Sequence, residues 1–184
     1  MREALGRLEG LKLVERKPRI GVSVISLSED DLDELFTVRE ALEGMACRLA
    51  ATTLSDDEIE RLRRLLAHHQ ESEGLRQGIA YYQGSADEDF HFRIVRASGN
   101  GRLIKGLCDE LYYQVRIYRY RSSAAPGRAV AALQEHLQIV EALAARDPDR
   151  AEAAMRRHIA NARANLVWRG DGAAARGRRR EVGA

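Results

Sequence analysis

Asp87, His91, His136 and His158 are the residues whose types and spacing suit chemistry. Asp87 and His91 stand four apart, which at helical pitch sets both side chains on one face, one turn apart. His136 and His158 follow on two later segments, and the chain has five histidines in all. One carboxylate and three imidazoles converging inside a helical bundle would hold a divalent cation and leave positions open for a ligand. Carboxylate plus imidazole without thiolate suits zinc, nickel, manganese, cobalt or iron, and the spacing does not choose among them. Glu88 and Asp89 are the competing carboxylates. Asp89 lies two residues from His91 and so faces elsewhere on a helix, which favours Asp87. The alternative for each histidine is a core imidazole satisfied by one hydrogen bond. His136 sits beside Leu133, Leu137 and Val140, and His158 among Met155, Ile159 and Ala162. Buried imidazoles on several helices need partners, and one cation supplies a partner to all.

The elements that must position these residues are mostly helices. Ser28 is an N-cap with Asp30 and Asp31 in the first turn, opening a helix to about Thr53. Leu32, Leu35, Val38, Leu42, Met45 and Leu49 are expected to form its buried stripe. Ser55 and Glu58 form a capping box for a second helix with Ile59, Leu62, Leu65 and Leu66 on its apolar face. Glycines 74, 78 and 84 interrupt the next stretch; helix resumes by about Ser85 and ends at Ser98-Gly99-Asn100. One long helix is expected from Leu103 to Arg121, another over 128–145, and a last one from Pro148 to near Gly170. Ahead of these, residues 2–11 read as a short helix. Leu13–Arg16 and Val22–Ile25 read as two strands about a Pro-Gly turn.

The expected architecture is all-α: an antiparallel bundle of about six helices over 28–170, preceded by a partial winged helix-turn-helix over 1–27. A disordered basic tail is expected over 171–184. With 45% hydrophobic and 32% charged residues, the 184-residue chain has the makings of a core. The net charge of +2 is too small to argue for nucleic acid, although basic residues cluster at both ends. Cys47 and Cys108 stand alone, no apolar run approaches the roughly 20 residues of a membrane span, and no signal-peptide core opens the chain. A cytoplasmic location follows as the expectation, with no membrane partner.

The motifs resemble a known family. Arg2-Glu-Ala-Leu-Gly-Arg-Leu-Glu, Leu13-Val-Glu-Arg and Arg19-Ile-Gly-Val-Ser-Val are similar to the recognition helix and wing of GntR transcription regulators. Val38-Arg-Glu-Ala-Leu-Glu43, Asp87-Glu-Asp-Phe-His91 with Ser98-Gly-Asn100, Glu135-His136 and Met155-Arg-Arg-His158 resemble the effector-binding FCD domain of the FadR subfamily. The resemblance covers residues 1–168. It implies a divalent ion, often zinc or nickel, on Asp87, His91, His136 and His158. It also implies a small carboxylate effector in the bundle, and a homodimer whose affinity for a DNA operator the effector changes.

Arg39 is then a candidate for pairing with the effector carboxylate, the alternative being an i,i+4 pair with Glu43 on the helix surface. Asn161, one turn after His158, would touch the effector or hold His158; Arg93, Tyr113 and Arg116 are lesser effector candidates. Arg2, Glu3 and Arg7 would lie at the major groove, and Lys17 and Arg19 on the wing would meet the DNA backbone or minor groove. A complete winged helix-turn-helix has two further helices before the recognition helix, and Met1 falls at or just inside that helix here. Lys12 stands where the family usually has a helix-ending glycine. Two other functions fit the constellation: a metal-dependent hydrolase, and a DNA-free sensor that dimerises through the bundle, with Tyr112, Tyr113, Tyr118 and Tyr120 as contacts.

Overall fold

The computed structural model describes residues 2–11, 13–25, 28–77, 89–123 and 127–165. Helix α1 (Arg2–Gly10) leads into an antiparallel hairpin of β1 (Val14–Lys17) and β2 (Gly21–Val24), with Val14 paired to Val24 and Lys17 to Gly21. Both strands thus sit one residue from their expected limits, β1 later and β2 earlier. The turn explains the shift. The Ile20 amide donates to the Lys17 carbonyl at 3.1 Å, with Pro18 and Arg19 at the corner and Arg19 at φ 67°. That is the pattern of a type II turn, whose third residue needs positive φ. The hairpin is tied to α1 by Arg16 and Glu9 at 2.9 Å.

Helix α2 (Glu29–Thr53) starts at the Ser28 cap, as expected, with a reciprocal Ser28–Asp31 box. Its buried face differs from the expected stripe. Leu32 and Leu35 are buried as expected and Leu42 and Leu49 are half-buried against the core, but Val38 and Met45 are 42% and 40% exposed, and Phe36, Arg39, Glu43, Cys47 and Ala50 are buried beside them. The two stripes lie about one residue apart around the helix. Beyond Leu35 the interior one passes through a charged pair, Cys47 and several alanines. Small residues there let α2 run close along α9 (Pro148–Ala164); a Cβ added at Gly44 would stand 2.8 Å from Arg156 Cγ.

Helix α3 (Asp56–Gln70) buries Ile59, Leu62, Leu65 and Leu66, and its Ser55–Glu58 box is formed. A single turn, α4 (Glu73–Arg76), follows. The expected restart near Ser85 lies outside the described residues; α5 (Phe90–Ala97) begins after Asp89, which caps it. The single helix expected from Leu103 is broken instead. It consists of α6 (Gly101–Ile104), a π-helical stretch (Lys105–Glu110), a bend at Leu111 and α7 (Tyr112–Ser123). The Leu111 amide donates to Gly106, five residues back, so one extra residue is inserted and the apolar register is reset. Helices α8 (Arg128–Ala144) and α9 complete the bundle. α9 lies against α2 and α8, and α5 docks on α2. The proposed tail over 171–184 and the expected end of α9 near Gly170 lie outside the described residues. No helix among the described residues is long and apolar enough to cross a membrane.

Candidate metal centre

Three helices deliver the histidines. His91 is in the first turn of α5, His136 is midway along α8, and His158 lies in the second half of α9; all three are buried. His136 Nε2 stands 3.2 Å from His91 Nε2 and 3.2 Å from His158 Nε2, and a set of ligand atoms from the three rings falls within 4.8 Å. Nitrogens about 2.05 Å from a tetrahedral zinc would be about 3.3 Å apart, so the spacing suits a shared ion. Phe90 stacks on the His136 ring at 4.3 Å and fixes its plane.

The outer nitrogens explain why the inner ones are available. His91 Nδ1 lies 2.6 Å from Glu43 Oε2, and His158 Nδ1 lies 2.6 Å from Glu135 Oε2. Burial alone would raise both carboxyls. For Glu43, Arg39 and His91 more than offset it; for Glu135, His158, Arg128 and Asn161 hold it down to about 2. Both are therefore ionised near neutral pH and accept, so each Nδ1 donates. Burial lowers all three histidines. His91 falls despite Glu43, His136 falls further beside its two neighbours, and His158 falls to about 4. Neutral rings protonated at Nδ1 present Nε2 lone pairs. His136 Nε2 has one proton at most to offer two such neighbours. At least one short Nε2···Nε2 contact is therefore lone pair against lone pair, an arrangement that a cation relieves.

Asp87, the fourth expected ligand, and Glu88 lie outside the described residues. Asp89 is turned to other work, as its spacing predicts. It accepts from the His91 and Phe92 amides at 3.1 and 3.3 Å and pairs with Arg119, whose guanidinium lies over Phe92.

Of the effector candidates, Arg39 is fully buried, with Nε 2.7 Å from Glu43 Oε1. The i,i+4 pair is therefore real but interior, not on the surface. Exposed Asn161 donates to Glu135 Oε1 at 2.8 Å and so steadies the carboxylate behind His158. Arg93 lines a pocket of about 460 Å³ with Arg61, Leu62 and Arg96. Tyr113 is exposed and Arg116 half-buried on α7, while Tyr118 is in the core. Glu3, Arg7, Lys17 and Arg19 are exposed on α1 and the hairpin; Arg2 opens α1. Arg119 and Arg128 escaped sequence reasoning, since neither sits in a motif that separates it from the surface arginines around it.

The FCD domain model matches residues 34–161. The chain belongs to the FCD family. This is the family whose motifs the sequence carries, the effector-binding domain of GntR regulators of the FadR type. A curated relative, the "Probable D-xylose utilization operon transcriptional repressor" of Paenarthrobacter nicotinovorans, is 34% identical over 148 residues, covering 80% of this chain and 63% of that protein. The solved structure of E. coli McbR/YncC is similar in fold, with a TM-score of 0.69 at 22% identity over 90% of this chain and 82% of that one. A GntR family member from Pseudomonas syringae pv. tomato aligns with a TM-score of 0.60 at 20% identity, over 90% of this chain and 67% of that one. The chain spans less than two thirds of the length of the curated relatives it matches.

Proposed function

We propose that this chain is the sensor part of a transcription regulator, in which a divalent ion on His91, His136 and His158 receives a small carboxylate effector. The observation that carries the reading is the three buried imidazoles meeting nitrogen to nitrogen at 3.2 Å, two of them backed by ionised glutamates. Asp87 is the fourth ligand in this reading, and zinc or nickel the preferred ion, with manganese, cobalt or iron also compatible with the donor set. When bound, the ion supplies a Lewis-acidic anchor for a carboxylate oxygen. Arg39 offers the complementary charge.

The DNA side rests on likeness. The relatives are regulators rather than enzymes, which sets the hydrolytic alternative aside. We assign residues 1–27 to DNA contact, with Arg2, Glu3 and Arg7 toward the bases and Lys17 and Arg19 toward the backbone, in a homodimer. Residues 28–170 form the sensor. Calorimetric titration of the chain, metal-loaded and metal-free, with a panel of small carboxylates tests the sensor. Saturable binding that requires the ion and leaves the acid unchanged by NMR is expected. Turnover of the acid, or binding indifferent to the ion, contradicts the reading.

A further inference from the structure

Each end of the histidine cluster is closed by the same three-part chain. On one side Arg39 Nε bonds Glu43 at 2.7 Å, and Glu43 holds His91 at 2.6 Å. On the other, Arg128 Nη2 bonds Glu135 at 2.6 Å, and Glu135 holds His158 at 2.6 Å. Arg128 Nη2 itself is 3.5 Å from His158 Nδ1. Both arginines are buried, at 0% and 4% exposure.

Among the described residues, the buried side-chain nitrogens and oxygens without a hydrogen-bond partner are Arg39 Nη1, Arg39 Nη2 and Arg128 Nε. They belong to these two arginines and to nothing else in the described core. The Phe36 ring under the Arg39 guanidinium, 4.8 Å away, takes its flat face and leaves its N–H edge without an acceptor. A buried guanidinium N–H with no acceptor forfeits the hydrogen bonds it had in water, so such groups normally have partners. Arg39 offers two N–H groups in a fork, the geometry of a carboxylate. Arg128 is the first residue of α8, a 17-residue helix whose N-cap, Gly127, supplies no side-chain bond and whose first turn has no acid. The positive end of that helix and the free Arg128 Nε both favour negative charge.

We infer that the effector carries two acidic groups, one received by the Arg39 fork and the other by Arg128 at the start of α8. This rests on the sensor reading above and narrows its ligand to a short diacid. It also makes Arg128 a specificity-determining residue: the ion and Arg39 accept any small carboxylate, and Arg128 selects the one with a second charge.

The test is calorimetry on the full zinc-loaded chain with succinate and glutarate against butyrate and valerate, the monoacids of equal length. Each diacid is expected to bind about tenfold or more tightly than its monoacid. Arg128→Gln should bring diacid affinity down to the monoacid level, and Arg39→Gln should weaken all four acids. Arg128→Lys, which keeps the charge should the glutamine variant fold poorly, is expected to retain part of the preference. Equal affinity of diacid and monoacid overturns the inference, as does 4-hydroxybutyrate binding as tightly as succinate. A diacid preference untouched in both Arg128 variants removes Arg128 from the role. Failure of every acid to bind overturns the sensor reading together with this inference, whereas monoacids binding as tightly as their diacids spare the first and remove only the second.

Discussion

At His91 and His158 a glutamate fixes which nitrogen carries the proton, and that choice points both Nε2 lone pairs at His136. The carboxylate behind each ring also makes it a stronger donor toward a cation. Glu135→Gln is therefore expected to weaken zinc affinity about 10- to 100-fold with the fold retained, measured by competition with a chromogenic chelator. Glu43 does a second job, since it neutralises Arg39 in a fully buried site. Arg39→Met leaves that carboxylate without its main counter-charge, and urea unfolding should show a loss of about 3–5 kcal/mol. Adding Glu43→Leu should recover much of that loss, because a packed apolar pair is often as stable as a buried ion pair. The histidines were legible in the sequence because His is scarce and their spacing is helical. Their partners were not. Glu43 and Arg128 look like any solvent-facing charge until the fold shows which helix face is inside.

Helix starts are the most legible elements, because their chemistry is local. Ser28 and Ser55 each cap a helix through a reciprocal box, and both lie where the sequence places them. Ser55→Ala should cost about 1 kcal/mol in urea unfolding. Hydrogen bonds from the Ser55 amide and hydroxyl hold the Glu58 carboxyl below its ordinary value of 4.5. The box therefore adds stability above about pH 4.5 and loses it as pH falls through the lowered folded value. The difference between wild type and Ser55→Ala should shrink over that window. Buried faces were harder to read. On α2 the large aliphatics suggest one stripe, yet the interior stripe runs through Phe36, Arg39, Glu43, Cys47 and Ala50. Its spacing of three and four was present in the sequence, but a charged pair in its middle masks it from a hydrophobic count. The π-helical insertion before α7, which buries Leu107 and Cys108, has no comparable signal in residue type.

For the molecule as a whole, the ion would tie α5, α8 and α9 together at the point where one ring from each meets nitrogen to nitrogen. Binding to the folded state alone should then stabilise the entire bundle. An ion at a thousand times its dissociation constant adds about 4 kcal/mol, and for a chain of this size that raises Tm by about 10 °C. Chelation followed by zinc or nickel should lower and then restore Tm by that amount in a thermal melt. His136 is the ring shared by both 3.2 Å contacts, so it is the residue on which the cluster turns. The most direct measurement is the metal content of the tag-free chain by inductively coupled plasma mass spectrometry, beside His136→Ala. One divalent ion per wild-type chain, absent from the variant, is the predicted result. Equal metal in both proteins, or none in either after incubation with zinc, nickel and manganese, would contradict it and leave the three histidines as packing groups.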